Sequence, residues 1–313
     1  MRNYGIAIHG GAGTVSKVKM TKWKAEAYKQ ALKRAYTVGY LTLHKGGSAL
    51  DAVTEAVIIL ENSYLFNAGK GSVFTHTGKH EMDAAVMEGK KLKAGAVAGV
   101  QSVKNPVLLA KAIMKKSKHV LLSGEQALTF AKKHQLEIED DAYFYDEFRY
   151  KQWQRAIASD TVQLDHDEGG STDQDKKFGT VGAVALDKKG NLAAATSTGG
   201  MVNKKFGRIG DSPIIGSGTY ANNESCAISC TGHGEFFLRA VVAHEVSARM
   251  LYKGETLQEA TQFIIHEALP KMGGRGGLIG IDAAGNIVLP FNTKGMYRGF
   301  KSSDNREFVD IFK

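Results

Sequence analysis

The chemistry in this chain gathers at one junction. Residues 159–178 form an acidic, small-polar stretch with almost nothing to bury, and it stops at Gly179. Thr180 then opens a strongly apolar run, Val181-Gly182-Ala183-Val184-Ala185-Leu186. Such a stretch reads as a flexible surface linker, and an exposed linker is accessible to scission. Cutting the bond between Gly179 and Thr180 would leave Thr180 with a free α-amine. With a pKa near ~8, that amine is a general base beside the threonine's own hydroxyl. It takes the hydroxyl proton directly or through water, so a threonine nucleophile needs no histidine. Gly179 has no side chain to obstruct the same hydroxyl from attacking the preceding carbonyl. One group could therefore both mature the enzyme and serve it, although a Gly-Thr pair opening a strand is common on its own.

Three other segments supply what that nucleophile would use. Thr196-Ser197-Thr198-Gly199-Gly200 closes the strand that returns beside Thr180. In Gly207-Arg208-Ile209-Gly210-Asp211-Ser212-Pro213, Arg208 can grip a carboxylate with its guanidinium fork, and Asp211 can accept from an ammonium. A cation and an anion in one glycine-rich loop suit a free α-amino-acid head group. As a plain surface ion pair they would do little. Cys230-Thr231-Gly232-His233-Gly234-Glu235 runs from a strand into a helix start, where backbone N–H groups and the Thr231 hydroxyl could stabilise an oxyanion.

Commoner signatures are missing. His9-Gly10-Gly11 is like the oxyanion loop of α/β-hydrolases, but no Gly-x-Ser-x-Gly elbow accompanies it, and His9 at a strand end reads as structural. Gly69-Lys70 is followed by Gly71 rather than Ser or Thr, so there is no Walker A loop, and no His-Glu-x-x-His spacing occurs. Cys226 and Cys230 would share one strand face as buried thiols. They are too few for a disulfide framework or a zinc site.

The elements that must position these residues are legible in the pattern. Residues 4–9 predict a strand, followed by a turn at Gly10-Gly11-Ala12-Gly13. Residues 22–45 predict a helix with Trp23, Ala27, Ala31, Ala35 and Val38 on its apolar face, ended by Gly46-Gly47. Ser48 caps a second helix, with Asp51 in the capping-box position and Ala49, Val53, Ala56, Val57 and Leu60 facing inward. Residues 82–87 and 94–100 read as buried strands. Asn105-Pro106 and Ser123 with Gln126 read as helix starts. Residues 180–186, the turn Asp187-Lys188-Lys189-Gly190-Asn191 and residues 192–198 form a hairpin signal. The design recurs at 278–281, Asp282-Ala283-Ala284-Gly285-Asn286 and 287–289. Between them, 235–252 and 256–269 read as amphipathic helices. Strands flanked by helices throughout predict an α+β layered sandwich with helices outside.

The 313 residues suffice for one large domain or two smaller ones. The net charge of +9 is spread over short lysine pairs such as Lys115-Lys116 and Lys204-Lys205, without interleaved aromatics. That describes a solvated surface rather than a nucleic-acid face. No basic segment with a long apolar stretch precedes the first strand, and no window reaches the ~18 apolar residues of a membrane span. The expectation is a cytoplasmic protein with no membrane or nucleic-acid partner.

Taken together, HGGAG at 9–13, LFNAGKGSVF at 65–74, GTVGAVALD at 179–187, ATSTGGMVNK at 195–204, GRIGDSPIIGSGTYANN at 207–223, CTGHGE at 230–235 and LPFNTKGMYR at 289–298 resemble the plant-type asparaginases. These are also called isoaspartyl peptidases, and they belong to the N-terminal nucleophile (Ntn) hydrolases. The resemblance runs nearly end to end. It implies a four-layer αββα sandwich in a single Ntn-hydrolase domain. It implies autocleavage into an α part, 1–179, and a β part, 180–313, assembled as a dimer of αβ units. Thr180 would be the nucleophile and Thr198 the second active-site threonine. Arg208 would hold the substrate α-carboxylate, and Asp211 its α-ammonium. Thr231 and Asn67 would line the oxyanion hole, with Gly232 contributing backbone to substrate binding. The segment 60–70 resembles a loop that wraps a structural sodium through main-chain carbonyls, with Leu60, Glu61, Ser63, Phe66, Ala68 and Lys70 as ligands. No cofactor would take part in catalysis.

The implied activity is hydrolysis of β-aspartyl (isoaspartyl) dipeptides and of the asparagine side-chain amide through a β-aspartyl-enzyme ester. Glycosylasparaginase is the nearest rival. Gly199-Gly200-Met201-Val202-Asn203-Lys204 after the second threonine favours the asparaginase branch. A threonine endopeptidase fits less well, because Arg208 and Asp211 suit a free amino-acid head group. An uncleaved, non-catalytic amino-acid-binding homologue is the alternative from a different class. His233 has no role assigned. Arg275, interrupting the run Gly273-Gly274-Arg275-Gly276-Gly277, would alter peptide preference if that loop borders the pocket.

Overall fold

A computed structural model describes residues 3–313 except 14, 16, 18–19, 160 and 163–178. Most of the expected linker, 159–178, thus lies outside the described residues. The strands are β1 (Gly5–Gly13), β2 (Met82–Glu88), β3 (Ala94–Val100), β4 (Leu121–Ser123), β5 (Val181–Leu186), β6 (Leu192–Thr198), β7 (Thr219–Ala221), β8 (Cys226–Gly232), β9 (Gly276–Asp282), β10 (Ile287–Val288), β11 (Gly295–Ser302) and β12 (Glu307–Phe312). The helices are α1 (Lys22–His44), α2 (Ala49–Glu61), α3 (Pro106–Lys116), α4 (Gly124–Lys133), α5 (Asp141–Phe144), α6 (Glu147–Ala158), α7 (Gly234–Ala240), α8 (Val242–Lys253), α9 (Leu257–Phe263) and α10 (Leu269–Lys271).

Eight strands form one sheet in the order β12-β11-β1-β5-β6-β2-β3-β4, and four form a second, β10-β9-β8-β7. Every residue of β1, β5 and β6 is buried. Burial on both faces removes the polar alternation expected of a half-exposed strand. The two faces still separate by parity. Ile6, Ile8, Ala183, Ala185, Ala193 and Ala195 turn toward the helix side. Ala7, Val184 and Ala194 turn toward Ala227 and Ile279 of the second sheet. Helices α1, α2 and α3 cover the outer face of the large sheet, and α8 and α9 cover the small one. This is the expected α+β, four-layer αββα sandwich. Strands from before and after residue 179 share the large sheet, where β1 lies between β11 and β5 and is hydrogen-bonded to both.

Local chemistry explains the elements and several departures. The Ser48 side chain caps α2 by accepting from Asp51 N at 3.1 Å. The β1 strand runs through its glycines instead of turning. After a bulge between His9 and Gly11, residues 11–13 pair with Tyr297, Met296 and Gly295 of β11. Glycine is required at position 10, where a Cβ would sit 2.3 Å from the Phe66 ring. In α1 the buried face is Tyr28, Ala31, Leu32, Ala35, Tyr36, Gly39 and Leu43. Trp23 is 78% exposed and does not belong to it. The helix predicted at 235–252 breaks at Val241, whose φ of 47° is left-handed. The helix predicted at 256–269 contains a wider turn, Ile264–Ala268. Asn105 sits at the N-cap of α3 without capping it, because its amide donates to Glu61 and Asn62. Among the described residues no helix is long and apolar enough to cross a membrane.

Candidate active site

The β5–β6 hairpin sets the centre. Val181 pairs with Ser197, so Thr180 lies opposite Thr198, and the Thr180 hydroxyl donates to Thr198 Oγ1 at 3.2 Å. Thr198 Oγ1 also accepts from Gly200 N at 3.1 Å, which leaves its own proton free to donate. The loop after α2 brings in Asn67. Its Nδ2 donates to the Gly200 carbonyl at 2.7 Å and its Oδ1 accepts from Val73 N at 3.0 Å. One amide proton of Asn67 is thus uncommitted by these contacts. Residue 199 must be glycine, because a Cβ would come within 2.4 Å of Asn67 Oδ1.

One cavity gathers Gly179, Thr180, Thr198, Asn67, Arg208, Asp211 and Gly232. Gly200, Met201, Gly210 and Ser212 complete its wall and had no role in the sequence reading. Thr231 stands apart. It is fully buried, and its Oγ1 accepts from Ala12 N at 3.2 Å, with Gly232 between it and the cavity in sequence. Arg275 is not among the lining residues. Its carbonyl accepts from His233 N at 3.0 Å and closes against Gly232.

The two candidate head-group residues differ in their surroundings. Burial pushes the Asp211 carboxyl up to about 7, against the opposing pull of the Arg208 charge. Its Oδ2 is buried and has no hydrogen-bond partner among the described residues. Arg208 is held from the side by Glu235 of α7, which accepts from its Nε at 2.8 Å. Burial works against the Glu235 charge. The hydrogen bond and charge of Arg208 outweigh it and hold that carboxyl below the usual range. The CTGHGE motif gives Glu235 no role by itself, since nothing local shows that a residue 27 positions away meets Arg208. With Nε taken, the terminal guanidinium nitrogens can present the fork to a carboxylate.

The loop after α2 is built around main-chain oxygens. A Cβ at Gly69, whose φ is +53°, would lie 2.5 Å from the Glu61 carbonyl oxygen. At Gly71 it would lie 2.0 Å from that of Phe66. The side chains turn elsewhere. Glu61 accepts from Ser197, Val107 and Asn105, Ser63 Oγ accepts from Leu65 N, and the Lys70 ammonium sits 5.1 Å from the Tyr143 ring centre. The carbonyls of Leu60, Ser63 and Ala68 accept from Ser63 N at 3.2 Å, Phe66 N at 3.5 Å and Gly71 N at 3.2 Å. Neutral main-chain oxygens of this kind are chemically suited to a hard monovalent cation such as sodium.

Comparison with known proteins agrees with this geometry. A family model described as asparaginase matches residues 2–311. The chain is 50% identical over 308 residues to an isoaspartyl peptidase of Escherichia coli, covering 98% of this chain and 96% of that protein. It is 40% identical over 330 residues to a probable isoaspartyl peptidase/L-asparaginase of Arabidopsis thaliana, covering 100% of both. It is 41% identical over 293 residues to the human isoaspartyl peptidase/L-asparaginase, covering 93% of this chain and 91% of that one. A match that spans nearly the whole sequence, over a pocket lined by paired threonines, Arg208 and Asp211, places this chain in the asparaginase family of hydrolases.

Proposed function

We propose that the protein is an autoprocessing threonine hydrolase that cleaves β-aspartyl dipeptides and the side-chain amide of L-asparagine. One observation carries this reading. Thr180 and Thr198, joined by their hydroxyls, line the same cavity as Arg208 and Asp211, whose buried Oδ2 has no hydrogen-bond partner among the described residues. An α-amino acid whose carboxylate meets Arg208 and whose ammonium meets Asp211 would direct its side-chain carbonyl toward Thr180.

Scission after Gly179 would divide the chain into 1–179 and 180–313. Gly179 has a φ of 20°, at the edge of a region that side chains disfavour. In the cut enzyme the Thr180 α-amine takes the hydroxyl proton, and Oγ1 attacks the amide carbon of the substrate. The developing oxyanion would be held by the free amide proton of Asn67 and the hydroxyl proton of Thr231, with Gly232 lining the substrate's path. The amine then returns the proton to the leaving nitrogen, so that ammonia or an amino acid departs. Water, deprotonated by the same amine, resolves the β-aspartyl ester and frees Thr180.

Three further parts of the reading rest on the family and on local geometry. The carbonyls of Leu60, Glu61, Ser63, Phe66, Ala68 and Lys70 would hold a structural sodium that stiffens the loop carrying Asn67. Two αβ units would form the working assembly. The enzyme would act in the cytoplasm.

The test is the intact mass of the purified protein after incubation at neutral pH, with hydrolysis of asparagine and of a β-aspartyl dipeptide measured alongside. Two fragments meeting between Gly179 and Thr180, with turnover, are expected. Thr180→Ala should stay as one chain and be inactive. A single mass near 33.8 kDa without turnover would instead mark an uncleaved binding homologue. An active Thr180→Ala enzyme would end the threonine mechanism.

A further inference from the structure

Beside the nucleophile the fold buries a chain of polar groups for which the chemistry above has no use. His9 of β1 is fully buried. Its Nδ1 lies 3.0 Å from the carbonyl oxygen of Thr180, and its Nε2 lies 2.9 Å from Ser229 Oγ on β8. Ser229 Oγ is 2.7 Å from Thr196 Oγ1 on β6, and Thr219 Oγ1 on β7 is 2.6 Å from the same Thr196 oxygen. All three hydroxyl residues are fully buried. The chain spans the space between the two sheets.

Proton counting fixes its first step, and for a neutral ring the rest. A carbonyl only accepts, so His9 Nδ1 must carry a proton and donate it to Thr180. In a neutral ring Nε2 then accepts, and the Ser229 hydroxyl donates to it. Ser229 has spent its one proton and must accept from Thr196, which in turn accepts from Thr219. Burial pushes the His9 ring down to about 3, although the Thr180 carbonyl favours the charged form. The ring is therefore neutral at neutral pH, the state taken in that count.

A second observation shows that the backbone makes room for this arrangement. Gly182 of β5 is the registered partner of His9. A Cβ on Gly182 would sit 2.0 Å from Ser229 Oγ and 2.5 Å from His9 Nε2. The bare backbone at 182 is what lets the imidazole–hydroxyl contact pass across β5. The ladders beside β5 pair from Val181 and Gly182 onward, so Thr180 itself precedes the registered pairs.

We infer that His9 is a positioning residue for the nucleophile, with its Nδ1–H anchoring the Thr180 carbonyl and Ser229 locking the tautomer that can do so. The inference rests on the reading of Thr180 as the nucleophile. Once the bond to Gly179 is cut, residue 180 keeps its bond to Val181, its side-chain contact with Thr198 and this carbonyl anchor. His9 touches neither substrate nor reacting atoms. Its loss should move Oγ1 relative to the bound substrate while Arg208 and Asp211 keep the head group in place. The effect therefore falls on kcat, not on KM.

Two variants and one spectrum test this. His9→Asn places an amide N–H one bond from Cγ, where Nδ1 stands, and keeps the donor to Thr180. His9→Gln carries its amide one atom further out, at the level of Nε2, and loses that donor. With cleaved protein, His9→Gln should lose kcat by roughly 10- to 100-fold at unchanged KM, as expected for a misplaced reacting group. His9→Asn should retain most of it. Equal kcat losses in both variants, or no loss in either, would overturn the inference. Because either variant could fold poorly, long-range proton–nitrogen NMR of histidine-labelled wild-type protein supplies an independent reading. His9 should appear as the neutral Nδ1–H tautomer at neutral pH; the Nε2–H tautomer overturns the anchor, and a charged ring overturns the tautomer lock by Ser229. If wild-type protein is never cut and never turns over, the threonine mechanism has failed, while the NMR result still decides whether His9 holds the Thr180 carbonyl.

Discussion

Asp211 and Glu61 are both fully buried carboxyls, and burial raises each to about 7. Their surroundings are opposite. Glu61, the last residue of α2, accepts from Ser197 Oγ at 2.6 Å, Val107 N at 3.0 Å and Asn105 Nδ2 at 3.0 Å. It ties the end of α2 to the start of α3 and to the strand that carries Thr198. Asp211 lies in a glycine-rich loop, lines the cavity and leaves its buried Oδ2 without a hydrogen-bond partner among the described residues. A buried carboxyl with every oxygen engaged holds the fold together. One with an orphan oxygen costs stability until something cationic arrives. The same shift thus accompanies a staple in one place and a candidate binding group in the other.

That contrast is sharpest under substitution. Asp211→Asn keeps the shape and removes the charge that would meet the substrate ammonium. It should lower kcat/KM by on the order of 100-fold, mostly through KM, because truncating one side of a buried charge pair costs roughly 2–5 kcal/mol. Its thermal midpoint should not fall, since the orphan charge is gone. Glu61→Ala should behave in the reverse way. Leaving three buried donors unmet should cost on the order of 3 kcal/mol in denaturant unfolding, with KM of the surviving cleaved enzyme unchanged. If Glu61→Ala instead raised KM while Asp211→Asn only destabilised, the two assignments would have to be exchanged.

The pH response separates them further. Asp211 becomes the anion that an ammonium needs as pH rises through about 7, so kcat/KM should climb across that value. The limb attributable to Asp211 should vanish in Asp211→Asn and persist in Glu61→Gln. The Thr180 amine also titrates near ~8, which makes the difference between variants the informative quantity. For stability the sign is opposite. Both groups have folded-state values raised above their unfolded ones, 3.8 for Asp211 and 4.5 for Glu61, so the folded state binds protons more readily. Unfolding measurements should show stability declining as pH rises from those values toward about 7. The smallest effect belongs to Glu235→Gln. Glu235 is half exposed, so losing its pairing with Arg208 is worth about 0.5 kcal/mol, a roughly twofold rise in KM.

Much of the fold was written in local pattern. The α2 cap at Ser48, the strands around 82–87 and 94–100 and both glycine-turn hairpins are short-range matters of capping, burial and turn conformation, and they stand where the sequence put them. The glycine run after His9 was misread as a turn. Its glycines answer a tertiary demand for close approach to Phe66, and the residues pair with β11 almost 300 positions away. Trp23 matched the helical period yet faces solvent, because periodicity defines a stripe and only packing decides which part of the helix is covered. The candidate site residues were legible because their types and close spacing are themselves chemical, as with Gly179-Thr180 and Arg208 with Asp211.

Their partners were not legible in the same way. His9 meets Thr180 across 171 positions and Ser229 across 220, and Arg208 meets Glu235 across 27. By itself the sequence determined the candidate nucleophile, the head-group pair and the elements that carry them, since each depends on neighbours along the chain. Only the tertiary structure decided that Asp211 keeps an unmet oxygen, that Glu61 is fully satisfied, and that a histidine on another strand grips the carbonyl of Thr180. Burial and hydrogen-bond partnership are properties of the packed layers, and residues far apart in sequence acquire them only when the two sheets close on each other.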